Sequence, residues 1–312
     1  MAIAVIFPGQ GSQSVGMLAR LIAAEPAAAA AFDEADAALG YGLSALMREG
    51  PAEELNRTAR TQPAMLAAGV AAWRAWLAHG GPRPVAMAGH SLGEYTALVC
   101  AGALDFADAL RIVSLRGEWM QQAVPEGEGA IAAVLGLDDE AVIAACREGE
   151  SAGGVVEAVN FNAPGQVVIA GDTAAVARAI DAAKAAGARR ALPLPMSVPA
   201  HCRLMHPVGD LLAQALDAVS IRTPEIPIFH NVDAARREQP ADIRAALAEQ
   251  VRRPVRWVAC VQAMRAAGVG TFLEVGPGRV LSGLTKRIDR DLVALPVDDP
   301  DTLAAALAAV KG

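Results

Sequence analysis

The stretch Met87-Ala-Gly-His-Ser-Leu-Gly-Glu-Tyr95 decides the fold. Within it, Gly89-His90-Ser91-Leu92-Gly93 fits G-x-S-x-G. Small apolar residues from Pro84 to Ala88 lead in as a buried strand, and Leu92 to Cys100 lead out with helix-compatible residues. That is the setting of a nucleophile elbow, a sharp strand-to-helix turn that exposes a serine oxygen. So tight a turn presses its backbone on its neighbours, and glycine at positions 89 and 93 avoids the clash. Ser91 then lies at a helix N-terminus, where free N–H groups and the helix dipole favour developing negative charge. The plainer alternative is a small-residue turn whose serine only caps a helix. The strand–turn–helix context disfavours it.

The rest of the chain agrees with an α/β enzyme. Its 312 residues suffice for one large domain or two smaller ones. It is 54% hydrophobic but only 4% aromatic, so alanine supplies much of the apolar content and favours helices. A net charge of −7 argues against general affinity for nucleic acid or an anionic membrane. Cysteines 100, 146, 202 and 260 show no metal-ligand spacing and read as reduced core thiols. The N-terminus lacks the basic segment of a signal peptide, and no uninterrupted apolar run reaches membrane-span length. A cytoplasmic protein is expected.

Short apolar strands alternate with alanine-rich helices. Ile3–Phe7 reads as a buried strand and Pro8–Gln13 as a loop. Helices are expected over Ala27–Leu39 and from Pro63, at its start, to Ala78. After the elbow, Asp105 is a plausible N-cap for a helix reaching about Val124. The alternation argues for a mostly parallel sheet covered on both faces. From Pro125 the rhythm changes. Strands at 130–135, 154–159, 166–170 and 189–194 and helices at 139–147 and 173–186 give β-α-β-β-α-β, the ferredoxin-like order, with Asn162–Gly165 as a turn. Residues 125–196 therefore read as a small domain inserted into a larger one made of 1–124 and 197–312. The larger domain resumes with strands near 226–230, 271–275 and 292–297.

A serine hydroxyl needs a base to take its proton. Of the five histidines, His79 ends a helix, His90 neighbours Ser91 and points elsewhere, His206 is helical and His230 ends a strand. His201 follows the irregular Met196–Ala200 segment at the junction of the two domains, where clefts form, and is the expected base. With no carboxylate beside it, its pKa is expected near the ordinary ~6.5, so that acylation would be half-maximal around pH ~6–7. Asp172 and Asp181 fall in the inserted domain, so no acid stands in the order Ser, acid, His. A backbone carbonyl, or an amide such as that of Gln250, remains to orient the ring.

Six motifs together resemble malonyl-CoA:acyl carrier protein transacylases. They are Phe7–Gln13 (FPGQGSQ), Gly89–Tyr95 (GHSLGEY), Leu115–Gly117 (LRG), Asn160–Gln166 (NFNAPGQ), Ser197–His201 (SVPAH) and Glu274–Gly278 (EVGPG), in order over essentially the whole chain. The resemblance implies an α/β-hydrolase-like core with a mostly parallel sheet and an inserted ferredoxin-like small domain. It implies Ser91 as nucleophile, His201 as base and Arg116 as the group that holds the malonyl carboxylate. Backbone N–H groups of Gln10 and Leu92 would form the oxyanion hole, and a carbonyl at or near Gln250 would orient His201. Ala200 departs from the serine frequent in the family. Asn160 and Asn162 either line the cleft or make the turn.

The implied reaction moves a malonyl group from malonyl-CoA to the phosphopantetheine thiol of an acidic, transiently bound acyl carrier protein. It feeds fatty acid synthesis, uses no metal or other cofactor, and is expected of a monomer. Arg189-Arg190 and Lys286-Arg287 are the favoured basic contacts for the carrier, ahead of Arg236-Arg237 and Arg252-Arg253. The alternatives are the acyltransferase subunit of malonate decarboxylase, a trans-acting polyketide synthase acyltransferase and, less favoured, a serine hydrolase or thioesterase.

Overall fold

The computed structural model describes residues 2–195 and 198–311. The expected domain boundary at 196/197, and Ser197 of the expected Ser197–His201 motif, lie outside the described residues. Among the described residues the strands are, in chain order, β1 (Ile3–Phe7), β2 (Ala86–Gly89), β3 (Gly129–Leu135), β4 (Val156–Ala163), β5 (Gln166–Asp172), β6 (Arg190–Pro193), β7 (Ile228–Phe229), β8 (Thr271–Val275) and β9 (Val293–Val297).

The first sheet runs β7-β2-β1-β8-β9 with every pair parallel. Successive side chains of a strand point to opposite faces, and the core divides accordingly. Val5 and Phe7 join Met87, Leu273 and Val275 on one face. Ala4 and Ile6 join Ala86, Ala88 and Phe272 on the other. Helices Pro26–Leu39, Thr58–Ala78 and Phe106–Ala123 cover the first face. Trp257–Ala266 and Val280–Ile288 cover the second. Double burial explains why the strands read as short continuous apolar runs rather than alternating ones.

The second sheet, β4-β5-β3-β6, is antiparallel. Helices Asp139–Glu150 and Thr173–Ala185 complete the β-α-β-β-α-β order. Its apolar core under those helices draws its buried residues only from the span Ala132 to Ala191.

Two local expectations differ. The helix expected to start at Pro63 starts at Thr58. Its first turn is held from outside, because Gln121 Oε1 accepts from the Ala59 N–H at 2.9 Å. Pro63 thus sits inside the helix, where its missing N–H forfeits one intrahelical bond. The turn expected over Asn162–Gly165 is shorter, since β4 continues to Ala163. Its edge is extended by pairing with the loop before Trp257: Phe161 N–H donates to Val255 O at 3.0 Å, and Val255 N–H to Val159 O at 2.9 Å. Asn160 and Asn162 are therefore strand residues, not turn residues.

Phe7 and Gly89 are partners in the β1–β2 register. The loops after β1 and β2 consequently emerge side by side at the carboxyl edge of the sheet, where α/β folds place their ligands. The elbow after β2 depends on the absence of a side chain at Gly89, where a Cβ would lie 1.8 Å from the Gly93 carbonyl carbon. Gly89→Ala should therefore open the turn. Forced overpacking costs about 1–3 kcal/mol, so the melting temperature should fall by several degrees and Ser91 should lose most of its reactivity. Thermal unfolding and active-serine labelling check this; an unchanged melting temperature with unchanged labelling would contradict it.

Candidate active site

Ser91 sits between β2 and the helix Gly93–Cys100 with φ 51°. A non-glycine residue adopts this left-handed backbone only when its surroundings hold it there. Three side-chain bonds do so. The Ser91 N–H donates to Asn231 Oδ1 at 2.7 Å, and Asn231 Nδ2 donates to Gly89 O at 2.8 Å. Gln250 Nε2 donates to Ser91 O at 2.8 Å.

His201 also has a left-handed backbone, φ 68°, with its N–H donating to Val251 O at 2.8 Å. Its Nδ1 donates to the Gln250 backbone oxygen at 2.7 Å. That bond fixes the tautomer and leaves the Nε2 lone pair facing Ser91 Oγ at 2.7 Å. Of the two orienters left open by the sequence, the backbone carbonyl of Gln250 takes the role, while its side-chain amide tethers Ser91.

Arg116, from the helix Phe106–Ala123, is 1% exposed. Nη1 donates to Gln62 Oε1 at 2.8 Å; Nη2 donates to Gln250 Oε1 at 3.1 Å and Ser91 Oγ at 3.2 Å. Among the described residues no carboxylate lies within ion-pair distance of it, and its Nε has no hydrogen-bond partner. Burial lowers its pKa from the ordinary arginine value. A cation this close to Ser91 Oγ favours a developing alkoxide and presents an open electrostatic partner to a short acid.

Gln10, Leu92, Asn160 and Asn162 line the same cleft of about 1190 Å³ as Ser91, His201 and Arg116. Neither the Gln10 nor the Leu92 backbone N–H meets an acceptor among the described residues. Both are free to stabilise an oxyanion. Asn162 Oδ1 lies 2.8 Å from His90 Nε2, which accounts for the other elbow histidine. No group of three or more His, Cys, Asp or Glu among the described residues is placed to hold a metal ion.

Sequence reasoning missed Gln62, Glu94, His230 and Asn231 as part of this constellation. Glu94 Oε1 lies 2.7 Å from His230 Nδ1, and its Oε2 accepts from the Asn231 N–H at 2.9 Å and Gln250 Nε2 at 3.0 Å. These side chains are fully buried. Polar residues inside otherwise apolar stretches, such as Gln62 before Pro63-Ala-Met-Leu-Ala, were the available signal.

Of the basic pairs, Arg252 and Arg253 engage Glu249, and Arg237 engages Asp233. Arg189-Arg190 and Lys286-Arg287 are exposed and enter no ion pair among the described residues. Leu135 pairs with both Arg190 and Gln166 in register, and Arg287 Nη1 donates to Gln166 Oε1 at 2.6 Å. Arg190 and Arg287 thus gather at one end of the small sheet.

The expected ordinary pKa of His201 is corrected by the structure. Burial first, and then the Arg116 charge, push it down to about 3. A buried imidazole beside a fixed cation resists a second positive charge. With the neutral ring as the expected base, Ser91 acylation should stay level as the pH falls through ~6.5, the ordinary histidine value. It should decline only as the pH approaches about 3. The unfolded chain binds the proton that the folded one refuses, so the contribution to stability is present above ~6.5 and lost as the pH falls below it. Single-turnover acylation against pH, with unfolding measured in parallel, checks this; a half-fall between pH ~6 and ~7 would restore the ordinary value.

A model of the acyl transferase domain matches residues 5–292. The malonyl CoA-acyl carrier protein transacylase of Escherichia coli (strain K12) is 56% identical over 304 residues, covering 97% of this chain and 98% of its own. The Bacillus subtilis protein of the same name is 46% identical over 309 residues, 99% of this chain and 97% of its own. A malonyl transacylase solved with the holo acyl carrier protein of a type II polyketide synthase superimposes with a TM-score of 0.97. It is 53% identical and covers 99% of this chain and 100% of its own. An acyl carrier protein S-malonyltransferase from Vibrio cholerae gives 0.95 at 53% identity, covering 98% and 99%. The chain is an acyltransferase and belongs to the family of malonyl-CoA:acyl carrier protein transacylases.

Proposed function

We propose that this chain transfers malonyl from malonyl-CoA to the phosphopantetheine thiol of acyl carrier protein, through a malonyl ester on Ser91, for fatty acid synthesis. The observation that carries the reading is the buried Arg116 guanidinium, 3.2 Å from Ser91 Oγ and, among the described residues, unpaired with any carboxylate. Malonate places its carboxylate only one methylene from the reacting carbonyl, so a cation that recognises it must stand beside the nucleophile.

His201 Nε2 takes the Ser91 proton as Oγ attacks the thioester carbonyl. The Gln10 and Leu92 N–H groups stabilise the tetrahedral oxyanion; removing one such donor typically costs ~3–4 kcal/mol. Collapse breaks the carbon–sulfur bond, and the proton held by His201 goes to the departing coenzyme A thiolate. The carrier thiol then enters, gives its proton to His201 and attacks the ester. Ser91 Oγ leaves and recovers that proton. Each half uses the same base, donors and cation, and no step needs a metal or redox cofactor.

We assign the parallel sheet to an α/β-hydrolase-like core, 1–124 and 197–312, and the antiparallel sheet to a ferredoxin-like insert, 125–196. The separate apolar core of the small sheet supports that division. We propose that the chain acts as a monomer. Among the described residues no helix is long and apolar enough to cross a membrane. We place the reaction in the cytoplasm, where the four unpaired cysteines suit a reducing compartment. The cluster around Arg190 and Lys286-Arg287 is the proposed contact for the acidic carrier. A type II polyketide carrier is the second reading, favoured by the structural likeness to the transacylase solved with such a partner. The ratio of kcat/KM for the two kinds of holo carrier separates them.

Arg116→Ala should lower malonyl transfer by at least tens of fold, since a charge-assisted hydrogen bond contributes ~1.5–3 kcal/mol. Use of acetyl-CoA relative to malonyl-CoA should rise. Initial rates against both substrates should give the parallel lines of a ping-pong scheme. A retained malonyl preference in the variant, or intersecting lines in the wild type, would overturn the proposal.

The carrier contact has its own test. Charge reversal at Arg190 together with Lys286 should raise the KM for holo carrier and flatten its salt dependence. Loading from malonyl-pantetheine, which lacks the nucleotide phosphates, should be unchanged. An unaltered KM and salt dependence for the carrier would move the docking surface elsewhere.

A further inference from the structure

The structure assigns to Gln62 the role of a specificity-determining residue: a neutral amide that aims the Arg116 guanidinium without cancelling its charge. The inference rests on the reading of Arg116 as the malonyl carboxylate clamp. Gln62 lies 54 positions from Arg116 in sequence, is fully buried, and accepts from Nη1 at 2.8 Å. Close packing of two helices brings it there. A Cβ on Gly117, next to Arg116, would lie 2.7 Å from Ala59 Cα and from Thr58 O. Glycine at 117 therefore lets the helix Phe106–Ala123 press against Thr58–Ala78 until the amide reaches the guanidinium. The other end of the amide is also fixed: Gln62 Nε2 donates to Met120 Sδ at 3.3 Å, which turns Oε1 toward Arg116.

The choice of an amide has an electrostatic meaning. Buried arginines are ordinarily paired with carboxylates. Arg116 is instead met by two amide oxygens, those of Gln62 and Gln250, and by the Ser91 hydroxyl. Neutral acceptors satisfy N–H groups and hold the plane of the fork, yet leave the cation open to direct contact with an incoming carboxylate; the buried Glu94 acts on it only through space, across the Gln250 amide. A carboxylate at position 62 would keep the hydrogen-bond geometry but neutralise the cation and repel the malonyl carboxylate at close range. Acetyl has no carboxylate to be repelled and should lose only what the cation gives to Ser91 itself.

The test compares kcat/KM for acylation by malonyl-CoA and acetyl-CoA in the wild type, Gln62→Glu, Gln62→Met and Arg116→Ala. Gln62→Glu should lower the malonyl value by at least about tenfold, the equivalent of one charge-assisted hydrogen bond, and leave the acetyl value within about threefold. Gln62→Met, which keeps volume and loses the acceptor, should lower the malonyl-to-acetyl ratio in the same direction by a smaller factor. It decides the matter alone if Gln62→Glu does not fold. An unchanged ratio in the Gln62 variants, or an equal loss of both activities, would overturn the inference. If Arg116→Ala loses the malonyl preference while both Gln62 variants keep it, only the role of Gln62 falls. If Arg116→Ala itself keeps the preference, the clamp reading falls and takes Gln62 with it.

Discussion

A guanidinium held out of water with no carboxylate in contact among the described residues is the constraint on which this active site is built. Removing an ion from water costs several kcal/mol unless protein groups replace its hydration. Around Arg116 that replacement is made by Gln62, Gln250 and Ser91. The Tyr95 ring also lies 5.8 Å from the guanidinium carbon. The arrangement solvates the cation but does not neutralise it. Burial first, and then the same cation, lower the His201 pKa, so one buried charge helps to keep the proposed base neutral and, on the proposed mechanism, faces the carboxylate of the substrate. Selectivity and readiness for proton transfer would then draw on the same charge.

Everything else in the site serves to keep three groups in register with that charge. Gln250 is the hub. Its backbone oxygen orients His201, its side-chain oxygen meets Arg116, and its side-chain nitrogen meets Ser91 O and Glu94. Asn231 clamps both ends of the elbow, at Gly89 and Ser91. Ser91 and His201 both have left-handed backbones, and strained conformations persist only where surrounding bonds over-determine them. The network behind Ser91 supplies those bonds, so that little reorganisation remains when a donor arrives.

Much of this was legible in the sequence because it is local. The elbow is a five-residue pattern in a strand-to-helix context, and the alternating elements around it announce a parallel sheet. The β-α-β-β-α-β run after Pro125 was readable for the same reason. What escaped reading depends on distances across the fold. Arg116 is reached only through the Leu115–Gly117 motif; its own neighbours leave it looking like any helical arginine, and its Gln62 partner appears only when the helix Thr58–Ala78 is packed on it. Nothing near Asn231 in sequence says that its amide reaches the Ser91 N–H. The low pKa of His201 follows from burial and from Arg116, neither visible from its neighbours in the chain. Pro63 misled because a proline usually opens a helix, whereas the preceding turn is capped from another helix by Gln121. The β4 extension past Asn160 likewise depends on pairing with Val255.

On the proposed mechanism, malonyl resides covalently on Ser91 between donor and acceptor. Intact mass of the protein after brief mixing with malonyl-CoA, followed by peptide mapping, tests it most directly. A single malonyl adduct is expected on the peptide containing Ser91, absent in Ser91→Ala and discharged when holo carrier protein is added. An adduct that persists in Ser91→Ala, or transfer to the carrier with no adduct on the wild-type chain, would contradict it.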